Sequence, residues 1–156
     1  MNNSKTESNW YMPFSIKLFA ALLTVITISL YVGVSRFLTL AERAEDTYYY
    51  PFWYIWIISL LINAATMLFL ILPLSLFVDR VLASTKMKDP GTRLIYVIVA
   101  YLLLGIGCGF LFAIFVFRMD AFQHTGQYLY VLIITFVYLL WQFILKWISK
   151  PRKRVS

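Results

Sequence analysis

Charged side chains leave four long gaps in this chain, and within them apolar residues occupy every helical face rather than one stripe. Leu18 to Ser35 is uncharged over 18 residues, Thr47 to Val78 over 32, Leu94 to Phe117 over 24, and Ala121 to Leu145 over 25 with His124 counted neutral. Roughly 20 predominantly apolar residues carry a helix across a hydrocarbon layer of about 30 Å, because each residue rises about 1.5 Å. The second gap exceeds one crossing, and Pro51 divides a tyrosine-rich approach from a helix that begins near Tyr54. The fourth helix begins after Gly126, which leaves Asp120 to Gly126 as a short polar turn. A membrane barrel would alternate apolar and polar residues, and four strands could not close one. The pattern therefore predicts an all-α integral membrane four-helix bundle in a single domain over 1–156, with helices near 16–36, 54–78, 94–117 and 127–148 and a basic tail over 149–156.

Basic residues give the bundle a direction, since Lys and Arg beside membrane spans are retained in the cytoplasm. Of 14 basic residues, 11 lie before the first helix, between the second and third, or after the fourth. They are Lys5 and Lys17; Arg80, Lys86, Lys88 and Arg93; and Lys146, Lys150, Arg152, Lys153 and Arg154. The other two connections hold Arg36, Arg43 and Arg118 beside Glu42, Glu45, Asp46 and Asp120. The two sides then carry +8 and −1, so both termini are expected in the cytoplasm. The first run, at 18 uncharged residues, exceeds the h-region of a cleaved signal peptide, about 7–15 residues, so it is expected to remain.

Composition narrows the function. With 62% hydrophobic and 13% charged residues, the chain is far from a water-soluble domain. Its net charge of +7 reads as an orientation device, and no polar domain presents the basic patch that nucleic-acid binding needs. The bilayer is the first expected partner, and Lys146 to Arg154 can hold anionic headgroups. A belt of aromatic residues, Tyr48, Tyr49, Tyr50, Phe52, Trp53, Tyr54 and Trp56, marks the outer interface, while Trp10, Tyr11, Trp141 and Trp147 mark the inner one.

Several side chains stand out. Gly105 and Gly109, extended by Ala113, form a small-residue face that lets another helix approach closely, from this chain or from a second copy. Ser59, Asn63 and Thr66 share one face of the second helix, and Asn63 must point inward to satisfy its amide. Thr24, Thr27, Thr135, Tyr138 and Gln142 are its candidate partners. Pro73 cannot donate to the Phe69 carbonyl, so a kink is expected there, with Ser75 or a neighbour satisfying the loosened backbone. Asp79, at the membrane edge, is expected to bond exposed cytoplasmic groups or anchor the following loop, and nothing marks it as a proton carrier. Cys108 reads as a packing residue.

Pro73, Ser75 and Asp79 also carry a resemblance: the segment is similar to a Pro-x-Ser-x-x-x-Asp pattern near a helix end in a family of small multi-spanning membrane proteins of Gram-positive bacteria. Ile71 and Leu72 stand where that family has Tyr-Gly. The resemblance implies a bacterial membrane setting and assigns no catalytic residue.

No acidic or basic residue lies at the centre of any span, which removes the usual carriers of proton-driven transport. Asp120 and His124 supply two ligands where zinc wants more, so no metal or other cofactor is expected. Nucleophile arrangements and phosphate-binding glycine loops are missing as well, so an enzyme is not expected. The leading expectation is a non-enzymatic bacterial plasma-membrane protein that acts by contact with its own copies or with another membrane protein. The alternatives are a subunit of an oligomeric transporter or pore for an uncharged or lipophilic compound, with Ser59, Asn63 and Thr66 lining a path between copies, and an immunity protein against a peptide toxin.

Overall fold

Residues 12–39, 50–84, 89–117 and 125–149 are described by the computed structural model, and they contain four helical segments long and apolar enough to cross a bilayer. Helix α1 is Phe14–Thr39, α2 is Phe52–Thr66, α3 is Leu72–Ser84, α4 is Pro90–Phe117 and α5 is Thr125–Ser149. A π-helical turn, Met67–Ile71, joins α2 to α3, so the two form one span over Phe52–Ser84. The bundle is all-helical with four apolar crossings, as the charge gaps predict.

Local chemistry sets the helix starts. Asp89 precedes α4 and accepts from the Thr92 amide at 3.0 Å and the Thr92 hydroxyl at 2.8 Å, while Pro90 fills a first-turn position that needs no donor. These two bonds, the amide first, hold the Asp89 carboxyl below its ordinary 3.8. Pro51 and Pro13 lie just ahead of α2 and α1, and their carbonyls accept the first helical amides, from Tyr54 at 3.0 Å and Ile16 at 3.0 Å.

The spans form a ring in chain order. α1 packs on α2 and α5, α4 packs on α5, and α3 packs on α4. Met67, Ile71, Cys108, Val131 and Tyr138 are wholly enclosed within it. The exterior is the reverse of a soluble protein's, with Phe115 86% exposed, Phe69 82% and Trp147 77%, a surface suited to hydrocarbon rather than water.

The kink expected at Pro73 takes the form of the π turn. The Leu72 amide reaches back five residues to the Met67 carbonyl, and the Ser75 hydroxyl donates to the Leu72 carbonyl at 2.8 Å rather than to Phe69. Buried positions on this span recur at Ser59, Asn63, Met67, Ile71 and Ser75, every fourth residue. At 3.6 residues per turn such a line drifts by about 40° at each step. One extra residue in the turn takes back about 100° of the roughly 160° that four such steps accumulate. The bulge thus helps keep one face of the second span turned inward from Ser59 to Ser75.

Candidate functional site

Two polar layers lie at opposite ends of the bundle, and both depend on residue spacing along the helices. In α1, Lys17 is followed on its own face by Ala20, Ala21 and Thr24, all buried, and these small neighbours leave room for its long side chain to turn inward. Lys17 is only 1% exposed. Its Nζ lies 2.7 Å from Asp79 Oδ2 and donates to the Ser75 carbonyl at 3.1 Å. Ser75 and Asp79 stand one turn apart on α3, as Tyr138 and Gln142 do on α5.

All four spans meet at this layer. Tyr101 of α4 donates to Asp79 Oδ1 at 3.1 Å and lies 3.2 Å from Gln142 Oε1, while the Ser75 and Tyr138 hydroxyls are 3.2 Å apart. A single phenolic proton serves one acceptor at a time, and the charged carboxylate is the stronger of the two. Gln142, 1% exposed, leaves its Nε2 without a partner. Turning that amide about its axis brings Nε2 to Tyr101 Oη, so that Tyr101 donates to Asp79 and accepts from Gln142. A cavity of about 20 Å³ beside Asp79, Arg93, Tyr101 and Gln142 has room for roughly one water. Sequence reasoning placed Lys17 as a solvated flank and Asp79 as a loop anchor; the structure turns both into the bundle.

Asn63 organises the other layer. Its Nδ2 donates to Ser29 at 3.0 Å and Ser59 at 3.2 Å, and its Oδ1 accepts from Tyr130 at 2.8 Å. The amide points inward as expected, but none of these partners is among the candidates read from the sequence. Thr24 and Thr135 bond back to their own helices, Thr27 accepts from Trp141, and Tyr138 and Gln142 belong to the opposite layer. Tyr130 reaches Asn63 because a tyrosine spans more depth than its backbone position implies. Thr66 also bonds back, to the Ile62 carbonyl.

Above Asn63 the bundle opens into a cleft of about 880 Å³. Its apolar walls are Ile55, Ile58 and Ile62 on α2 and Phe112 and Val116 on α4. Ser59, Asn63 and Tyr130 form polar ground within it, and Tyr31, Arg36, Tyr50 and Tyr54 lie toward the end of α1 and the start of α2. The Tyr50 and Tyr54 rings stack at 4.7 Å. The cleft exists because the second span packs on α4 through its π turn and α3, while α2 diverges from it. The π turn is where the two spans part.

The small-residue face of α4 lies against α5 of the same chain. A methyl group on Gly105 would meet the Leu132 backbone at 3.4 Å, and one on Gly109 the Tyr128 backbone at 3.3 Å. Ala113 is fully buried on the same face, whereas Gly107 faces open space. Cys108 is buried beside them.

Among the described residues, no three His, Cys, Asp or Glu side chains come together. Asp120, His124, Tyr48, Tyr49, Trp10, Tyr11 and the tail from Lys150 to Arg154 lie outside the described residues. The ion-paired layer is the part sequence reasoning missed. A lysine followed by small residues at i+3, i+4 and i+7 was the available signal, with Ser75–Asp79 and Tyr138–Gln142 as matching one-turn pairs on other spans. No protein-family model, curated protein or solved structure matches the chain.

Proposed function

We propose that this chain is a non-enzymatic bacterial plasma-membrane protein, with both termini cytoplasmic, that binds a lipophilic compound in the outer half of the bilayer. One observation carries the reading: a cleft of about 880 Å³ opens at one end of the bundle while four spans close the other around Lys17 and Asp79. That volume is within the range of about 300–1,000 Å³ typical of small-molecule sites. The cleft belongs to one chain, so a path does not require assembly between copies. This favours the transport-related alternative over a purely accessory role or an immunity role. The orientation rests on the +8 and −1 asymmetry, which pairing Lys17 with Asp79 leaves unchanged because it removes one charge of each sign. A bacterial setting rests on the Pro73–Asp79 resemblance.

Thiol accessibility tests the cleft. In a Cys108→Ala background, Ser59→Cys should react with a membrane-impermeant maleimide added from outside, and Thr66→Cys, below the cleft floor, should be protected. Protection at both positions would count against a ligand path. Reporters fused after Met87 and after His124 test the orientation and should report the cytoplasm and the exterior, respectively.

A further inference from the structure

Among the described residues, the wall of the cleft has one charged side chain. Arg36 stands with Tyr31, Ser35 and Tyr54 at the mouth, and among the described residues no carboxylate pairs with it. Beside the polar Ser59, Asn63 and Tyr130, the walls at Ile58, Ile62, Phe112 and Val116 offer only hydrocarbon. α2 and α4 both line the cleft yet are not closely packed on each other, and the gap between them gives a lipid a route into it.

We infer that the cleft takes an anionic single-chain amphiphile, carboxylate- or phosphate-headed, which enters between α2 and α4 with its head at Arg36 and its chain along Ile58, Ile62, Phe112 and Val116. The assignment rests on the proposed ligand-binding reading of the cleft and names its ligand class. A neutral lipophile in the cleft covers part of the exposed Arg36 and returns nothing for its charge. A cationic head adds like-charge repulsion. An anionic head compensates the desolvation, and the planar guanidinium matches both carboxylate and phosphate through paired hydrogen bonds. The tyrosines at the mouth suit the same depth, where an amphiphile's head meets water.

Four photoreactive long-chain probes, alike except for a carboxylate, phosphate, alcohol or trimethylammonium head, test this on the full chain in phosphatidylcholine nanodiscs. Crosslinks are mapped to residues by mass spectrometry. The two anions should label the walls at Ile58, Ile62, Phe112 and Val116 about fivefold more than the alcohol, the effect of roughly one interfacial charge. The ammonium probe should label least. Arg36→Gln should abolish the preference while the alcohol still labels the cleft, and Arg36→Lys should retain part of it. Whether carboxylate or phosphate labels more strongly separates a fatty-acid source from a phospholipid source. Equal labelling by alcohol and anions in the unaltered chain, or a preference for the ammonium head, would overturn the anionic assignment and leave cleft binding intact. Labelling confined to lipid-facing Phe69 and Phe115 would overturn both.

Discussion

Lys17 and Asp79 meet at 2.7 Å inside the bundle and tie the first span to the second through an ion pair that Tyr101 and Ser75 complete from either side. Breaking such a pair leaves an unpaired charge, which costs about 3–5 kcal/mol when the site is fully buried. Asp79 keeps 17% of its side-chain surface, so the lower part of that range applies. Lys17→Met and Asp79→Leu should each destabilise the bundle by about 3 kcal/mol in detergent unfolding. The double variant should recover most of the loss, because replacing both partners with apolar groups is often neutral or favourable. Additive losses would mean that the two residues act independently.

The polar layer around Asn63 makes a graded prediction. Tyr130→Phe removes one hydrogen bond, and Asn63→Leu removes three while leaving Ser29, Ser59 and Tyr130 to find new partners. At about 0.6–2 kcal/mol for each interhelical bond, the first variant should lose about 1 kcal/mol and the second, which breaks two such bonds besides the one to Ser59 on its own helix, at least about twice as much. Ser29→Ala should resemble Tyr130→Phe. A loss for Asn63→Leu no larger than for Tyr130→Phe would mean that the amide does not organise the layer.

Close packing of α4 on α5 is tested by position rather than by residue type. Gly109→Leu forces bulk against the Tyr128 backbone, which cannot move aside like a flexible side chain, and Gly105→Leu does the same at Leu132. A Cβ added at Gly107 meets nothing within 4 Å, so Gly107→Leu starts into open space. Abundance and thermal stability should fall sharply for the first two and change little for the third. Equal tolerance at all three positions would separate the two helices.

The four crossings are legible in the sequence because lipid makes nearly every residue of a span apolar, whatever faces its neighbour. The Gly105, Gly109 and Ala113 face is legible for the same local reason, as a stripe at helical spacing. Its partner helix is not, since a stripe records that something approaches closely and not what. The pairing of Lys17 with Asp79 escaped because a charge tally treats each flanking charge as solvated, while burial here is set by contact between distant spans. The cleft is further from sequence still. It follows from the divergence of α2 from α4, and no residue type marks that gap.

At the start of α4, Asp89 links stability to pH. Its carboxyl is held low by the Thr92 amide and hydroxyl, so the folded protein binds this proton less readily than the unfolded chain. The cap's contribution is therefore complete above the ordinary value of 3.8 and is lost as pH falls below it through the lower folded value. Amide exchange at Gly91, Thr92 and Arg93 should accelerate in that acidic window relative to amides deep in α4, after correction for intrinsic rates. Asp89→Ala should show the faster exchange at neutral pH and lose the acid dependence.

If the π turn is one inserted residue that keeps Ser59, Asn63, Met67, Ile71 and Ser75 facing inward, deletion of a lipid-facing residue within it should be tolerated. Leu68 is 47% exposed and lies in the turn, so removing it converts the turn to ordinary helix without rotating either flank away from the bundle. Pro73 would then clash with the carbonyl one turn back, so the deletion is best combined with Pro73→Ala. The combined variant should fold, keep the Lys17–Asp79 pair and still show recovery of stability when both of those positions are replaced together. Deleting Leu103, 63% exposed in the unbroken α4, rotates everything beyond it by about 100° and should carry Gly105 and Gly109 off α5. That variant should lose its folded yield. If both deletions fail alike, the π turn is not a removable insertion, and the inward line on the second span needs another cause.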